Sequence, residues 1–161
     1  MRRAVKFMHT IAACGMIGAL FAYAIVLTYA PQDTAQAYAD MRRTVSALCN
    51  YVLLPSMALA LVSGLLSMVV HKPFLDQRWV WVKAILGLSV FEATLGVVGS
   101  KAGTAAALSA KIAAGAPAAD ELARAIAYEW MALGVILTLL LVNIALAIWR
   151  PRLVVSWWSW V

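Results

Sequence analysis

Four long apolar runs divide the chain, each closed by charged, proline-bearing or aromatic residues. They cover about 6–29, 44–70, 79–114 and 117–149. Each exceeds the roughly 20 residues of helix that a bilayer requires. No alternation with a period of two competes with them, and a helix satisfies its own backbone groups in lipid. The expected fold class is therefore all-α, a polytopic membrane four-helix bundle in a single integral membrane domain spanning 1–161. The connections differ in kind. "APQDTAQAYADM" reads as a short polar loop, whereas "SKAGTAAALSAKIAAGAPAADELARA" is rich in alanine, the strongest helix former. Helix three at ~1.5 Å per residue would run ~50 Å, beyond a hydrocarbon core of ~30 Å. An extended hairpin between helices three and four is expected outside the membrane. Pro117, Asp120 and Glu121 would open the fourth helix. Pro151 ends it, and the Trp-rich tail 150–161 suits the headgroup layer.

Composition agrees with this pattern. Hydrophobic residues make up 65% of the 161 and charged residues 12%, about half the charged share of a soluble domain. The formal charge of +6 sits mainly at the ends of apolar runs, which points to membrane lipid as the partner and not to nucleic acid. Eight of the Lys and Arg residues fall at the two termini and the second connection, and five fall in the first and third. That bias puts both termini in the cytoplasm, with the chain a multi-pass protein of a bacterial-type inner membrane. The opening "MRRAVKF" and the apolar stretch after it also fit a secretory signal peptide, but the apolar region is long enough to favour a retained helix. Cys14 and Cys49 offer neither metal spacing nor a disulfide framework and read as small buried hydrophobes.

Candidate chemistry rests on the ionisable residues inside these runs, since such groups are costly in lipid and usually face a bundle interior or water. Antiparallel neighbours bring the starts of helices one and three to one side, so His9 and Lys83 lie at similar depth, with His71 ending helix two there. A second polar set, Glu92, Glu129 and Asn50, lies toward the other face, and Glu92 is expected to meet Asn50 or Glu129 inside the bundle. Each has a plainer reading: Lys83 snorkels to headgroups, His71 sits in the interface, Glu129 lies in the outer headgroup layer. No Ser/His/Asp set, phosphate loop or zinc spacing is present. Imidazole is a standard axial ligand of haem iron, and four-helix bundles hold cofactors in their cores. With two histidines in the chain, at most one bis-histidine haem could form.

Several segments resemble the HemJ-type protoporphyrinogen oxidases and, more loosely, the CopD-like four-helix membrane proteins. Lys6-Phe7-Met8-His9 followed by Gly18-Ala19-Leu20-Phe21 is similar to a K-x-L-H start and a later G-L-F-Y. "MRRTVSALCNYVLLPSMALALVSGLL" resembles a segment with paired arginines, a proline and a glycine. Trp79-Val80-Trp81-Val82-Lys83 before "AILGL" looks like a W-L-x-V-K opening of helix three, and Glu129 in "YEWMALGVILTLLLVNIALAIWRP" resembles an N-E-x-P opening. The resemblance implies haem b as cofactor, His9 as its metal ligand, and Lys83 as a cofactor-binding and catalytic residue. It also implies an oxidoreductase that removes hydrogens from a tetrapyrrole such as protoporphyrinogen and passes electrons to a membrane acceptor such as quinone.

Two other classes fit the same residues. One is a CopD-like metal-handling or proton-coupled protein with Glu92 and Glu129 on its pathway. The other is a non-catalytic structural subunit whose hairpin and Trp-rich tail hold a larger complex. A homo-oligomer is among the assemblies this architecture allows.

Overall fold

The computed structural model describes residues 2–70 and 77–149, side chains at 97–99 and at Arg2 excepted. The expectations for His71 and Lys72, and for the Trp-rich tail, fall outside the described residues. Among those described, every regular element is a helix: α1 (Arg2–Tyr29), α2 (Ala35–Leu48), α3 (Leu54–Val70), α4 (Arg78–Ala93), α5 (Ser100–Ala113) and α6 (Ala119–Trp149). Wider π-helical turns, Cys49–Leu53 and Thr94–Gly99, join α2 to α3 and α4 to α5. The chain thus forms four continuous helices long and apolar enough to span a membrane, two of them 36 residues long.

The first π turn has a clear local cause. Pro55 lacks an N–H, and its ring crowds the carbonyl four residues back, that of Tyr51. The helix widens there, and the Leu54 N–H reaches the Cys49 carbonyl five residues earlier.

Termini are closed by side chains and turn chemistry. Pro31 stops α1, and the Gln32 amide donates to the Leu27 carbonyl at 2.9 Å, satisfying one of the acceptors left at the helix end. Thr34 then caps α2, its hydroxyl accepting from the Ala37 N–H at 3.1 Å. The second spanning helix therefore starts at Ala35, not at about residue 44 as expected. The segment that reads as a polar loop is the exposed side of an amphipathic helix, which buries Ala39, Met41, Arg42 and Val45 on its other face. At the opposite turn Gly115 takes φ +89. Its N–H bonds to Ile112 and that of Ala116 to Lys111, a Schellman ending that only a residue at ease with positive φ makes cheaply.

Exposed aromatics mark two levels. Trp81 and Trp149 lie at the end where the described chain begins and ends, and Tyr128 and Trp130 mark a second level along α6. From Trp130 to Trp149 along α6 is about 28 Å at ~1.5 Å per residue, close to the ~30 Å hydrocarbon thickness. Between the belts the outward surface is mainly apolar, with Phe7, Ile11, Phe21, Ile25, Val62 and Leu141 all exposed, though Ser89 and Glu92 of α4 are exposed there too. Beyond the second belt stand α2, α5 and the first turns of α6. The extended hairpin is consequently a three-helix cap: α2 packs along α5, and Ala105, Leu108, Leu122 and Ala125 form its own small core with Tyr38 against it.

In the spanning part α1 lies chiefly along α3, and α4 lies between α3 and α6. A Cβ added at Gly15 would fall 2.7 Å from Ser56 Oγ, so that glycine lets α1 and α3 approach closely. The main core, built on Tyr23, Val45, Cys49, Leu53, Val90 and Ile136, fills the half of the bundle nearer the cap. The other half is hollow.

Candidate functional site

The hollow half is a cavity of about 550 Å³ between α1, α3, α4 and α6, within the range of roughly 300–1,000 Å³ usual for cofactor and small-molecule sites. Its walls are mainly aliphatic and methionine side chains, and its polar groups include His9, Lys83, Asn143 and Lys6. The structure therefore brings His9 and Lys83 to one cavity, from helices one and three, at the common depth that antiparallel packing requires.

His9 is held in one orientation. Its Nδ1 lies 2.9 Å from the Ala60 carbonyl and 3.1 Å from Ser63 Oγ. A carbonyl can only accept, and the Ser63 hydroxyl spends its own proton on the Leu59 carbonyl at 2.6 Å. Nδ1 therefore carries the ring proton, and Nε2 keeps a lone pair. Among the described residues nothing hydrogen-bonds to Nε2. Gly64 sets the fit: a Cβ there would lie 3.4 Å from His9 Cε1, so the α3 backbone runs directly beside the ring. Gly87 lies on the cavity wall near Leu61 and Asn143.

Lys83 is half-buried on α4. Among the described residues its ammonium has neither an ion pair nor a hydrogen bond. A cation turned into a largely apolar cavity without a protein counter-ion suits an anionic ligand.

The second expected cluster does not form. Glu129 is buried, with 0% exposure, but its partners are Arg42 and Tyr23. Arg42 Nη1 donates to Oε2 at 2.5 Å, and the Tyr23 hydroxyl donates to Oε1. Arg42 Nε and Nη2 in turn donate to the Tyr38 hydroxyl at 3.0 and 2.9 Å. Asn50 is exposed and turns back on its own helix, donating to the Ser46 carbonyl at 2.9 Å. Glu92 is exposed as well, on the side of α4 away from Gly87, Val90 and Thr94. Rotation about the helix axes turns Asn50 and Glu92 outward while Glu129 turns inward. Hydropathy alone does not single out Arg42, Tyr23 or Tyr38, because Arg42 precedes the second apolar run. The signal was present: Tyr38, Met41, Arg42, Val45 and Cys49 follow a three-to-four-residue spacing.

The two cysteines also part company, Cys49 being buried as expected and Cys14 exposed. Among the described residues no group of three or more His, Cys, Asp or Glu side chains comes together that could hold a metal ion.

No curated protein and no solved structure matches this chain significantly. One family model does match, described as a predicted integral membrane protein family (DUF2269), and it covers residues 3–151. The match spans nearly the whole chain and all four spanning helices, and the protein belongs to that integral membrane family.

Proposed function

We propose that the cavity binds haem b or a related carboxylate-bearing tetrapyrrole, with His9 as the axial donor and Lys83 as the counter-charge. The observation that carries this reading is the state of His9. Its Nδ1–H is tied to the Ala60 carbonyl and its Nε2 is left with a free lone pair. A backbone carbonyl on one ring nitrogen is the usual device that orients a metal-binding histidine and raises its basicity. The donor set fits a haem: an oriented imidazole, a cation for a propionate, and apolar walls that favour a flat aromatic ligand. A haem bound there would supply a one-electron redox couple.

The chain's own residues perform three tasks in this reading. His9 fixes the ligand's position, Lys83 holds a carboxylate at the cavity edge, and the aliphatic walls of α3 and α6 limit water. The end carrying these groups would face the cytoplasm, as the distribution of Lys and Arg favours. The resemblance of the His9 and Lys83 segments to HemJ-type proteins extends the reading to an oxidoreductase of a bacterial inner membrane. It would act on a tetrapyrrole such as protoporphyrinogen and pass electrons to a membrane acceptor such as quinone. A CopD-like proton or metal path through Glu92 and Glu129 is less well supported, because the two carboxyls lie on opposite sides of their helices' packing surfaces.

Absorption spectroscopy of the protein purified from membranes tests the proposal. A Soret band with alpha and beta bands that sharpen on reduction is expected. A colourless protein that also takes up no added haem would contradict it.

A further inference from the structure

We infer that the outward face of α4 around Glu92 is the contact face between two copies of this chain. Glu92 lies 11 residues beyond Trp81, ~16 Å along the helix from that aromatic belt and ~12 Å short of the second, inside the hydrocarbon layer. Its side chain is exposed, and among the described residues it has no hydrogen bond or ion pair. A carboxyl at that depth is too far from either belt to reach water by extending its side chain, and lipid tails offer it no partner. A protein surface must cover it.

The residues around Glu92 fit such a covering. Ser89 lies one turn away on the same face and is exposed. Gly96, the next turn on, has open space where a Cβ would project, so a second helix can approach the backbone closely. Ile85 continues the stripe with an exposed aliphatic side chain.

The choice of a second copy follows from depth and symmetry. All copies of one chain insert with the same orientation, so a two-fold axis between them runs along the membrane normal. Glu92 of one copy then stands level with Glu92 of the other, and the partner's Ser89 lies within one turn of it, ~4.5 Å along the axis. The Ser89 hydroxyl of each copy can donate to the Glu92 carboxyl of the other, so this surface is complementary to itself and needs no cation from outside. This inference stands independently of what the cavity binds.

Oxidative cross-linking in native membranes tests it, with Cys14→Ala as background because Cys14 is itself exposed. Ser89→Cys should give a disulfide-linked homodimer, whereas Phe21→Cys, on the outward side of α1, should stay at background. Adding Glu92→Leu to Ser89→Cys should lower the dimer fraction about threefold or more, the scale of interhelical polar contacts in membranes. Glu92→Gln, which still donates and accepts, should largely preserve it. Leucine suits a lipid-facing position, so monomer folding is expected to survive, and light scattering of the purified variant reports its mass directly. Equal cross-linking at both positions, none at Ser89, or a Ser89→Cys adduct with another protein and no homodimer would overturn the assignment.

Discussion

The two halves of this bundle treat buried polar groups in opposite ways. In the half next to the cap, Glu129, Arg42, Tyr23 and Tyr38 form a network in which both carboxylate oxygens are engaged and the guanidinium donates to two residues. It ties α1, α2 and α6 together beneath a packed core. In the other half His9 is oriented with equal care, yet Nε2 and the Lys83 ammonium have no partner among the described residues. The first arrangement is complete in itself and reads as structure. The second is oriented but unfinished, and an unfinished polar site in an apolar cavity is where a ligand belongs.

Breaking the closed network should produce the largest effect. Glu129→Ala leaves Arg42 buried without its counter-ion, a loss of about 3–5 kcal/mol for pairs of this kind. Replacing both partners together, Arg42→Leu with Glu129→Leu, should recover much of that loss, because no orphaned charge remains. Unfolding of the purified variants in mixed micelles would show both effects; a Glu129→Ala protein as stable as the wild type would refute the structural role.

The hollow half should respond in binding more than in stability. Lys83→Ala is expected to leave unfolding nearly unchanged and to weaken haem binding by about 1.5–3 kcal/mol, the range for a charge-assisted hydrogen bond. Titration of haem into wild type and variant reads this as a ten- to hundredfold difference, roughly. Lys83→Arg should retain part of the affinity, since a cation remains. Tyr23→Phe is a milder probe of the closed network. It removes one charge-assisted donor to Glu129 while Arg42 stays, and should cost about 1.5–3 kcal/mol of stability, less than Glu129→Ala, without touching haem affinity.

Much of this architecture was legible in the chain. Hydropathy and run length expose the four spans because lipid demands ~20 apolar residues in a row. The common level of His9 and Lys83 follows from antiparallel order alone. What stayed hidden depends on rotation about helix axes. Asn50 and Glu92 sit at plausible depths, but only packing tells that both turn outward while Thr94 and Val90 turn inward. The start of α2 was hidden for another reason. Its exposed face carries Gln36, Asp40 and Arg43, so average polarity hides a helix that the Thr34 cap and the spacing of its buried residues reveal.

The central claim is that one half is finished by the protein and the other by a ligand coordinated at His9. Unfolding of wild type and His9→Ala, each with and without haem, tests it most directly. A ligand at a hundred times its Kd stabilises the folded state by about 2.7 kcal/mol. The account predicts a gain of that order for the wild type, and almost none for His9→Ala, whose ligand-free form should be lower by about 0.5–1.5 kcal/mol for the lost Ala60 hydrogen bond. Equal stabilisation of both proteins by haem, or of neither, would contradict it.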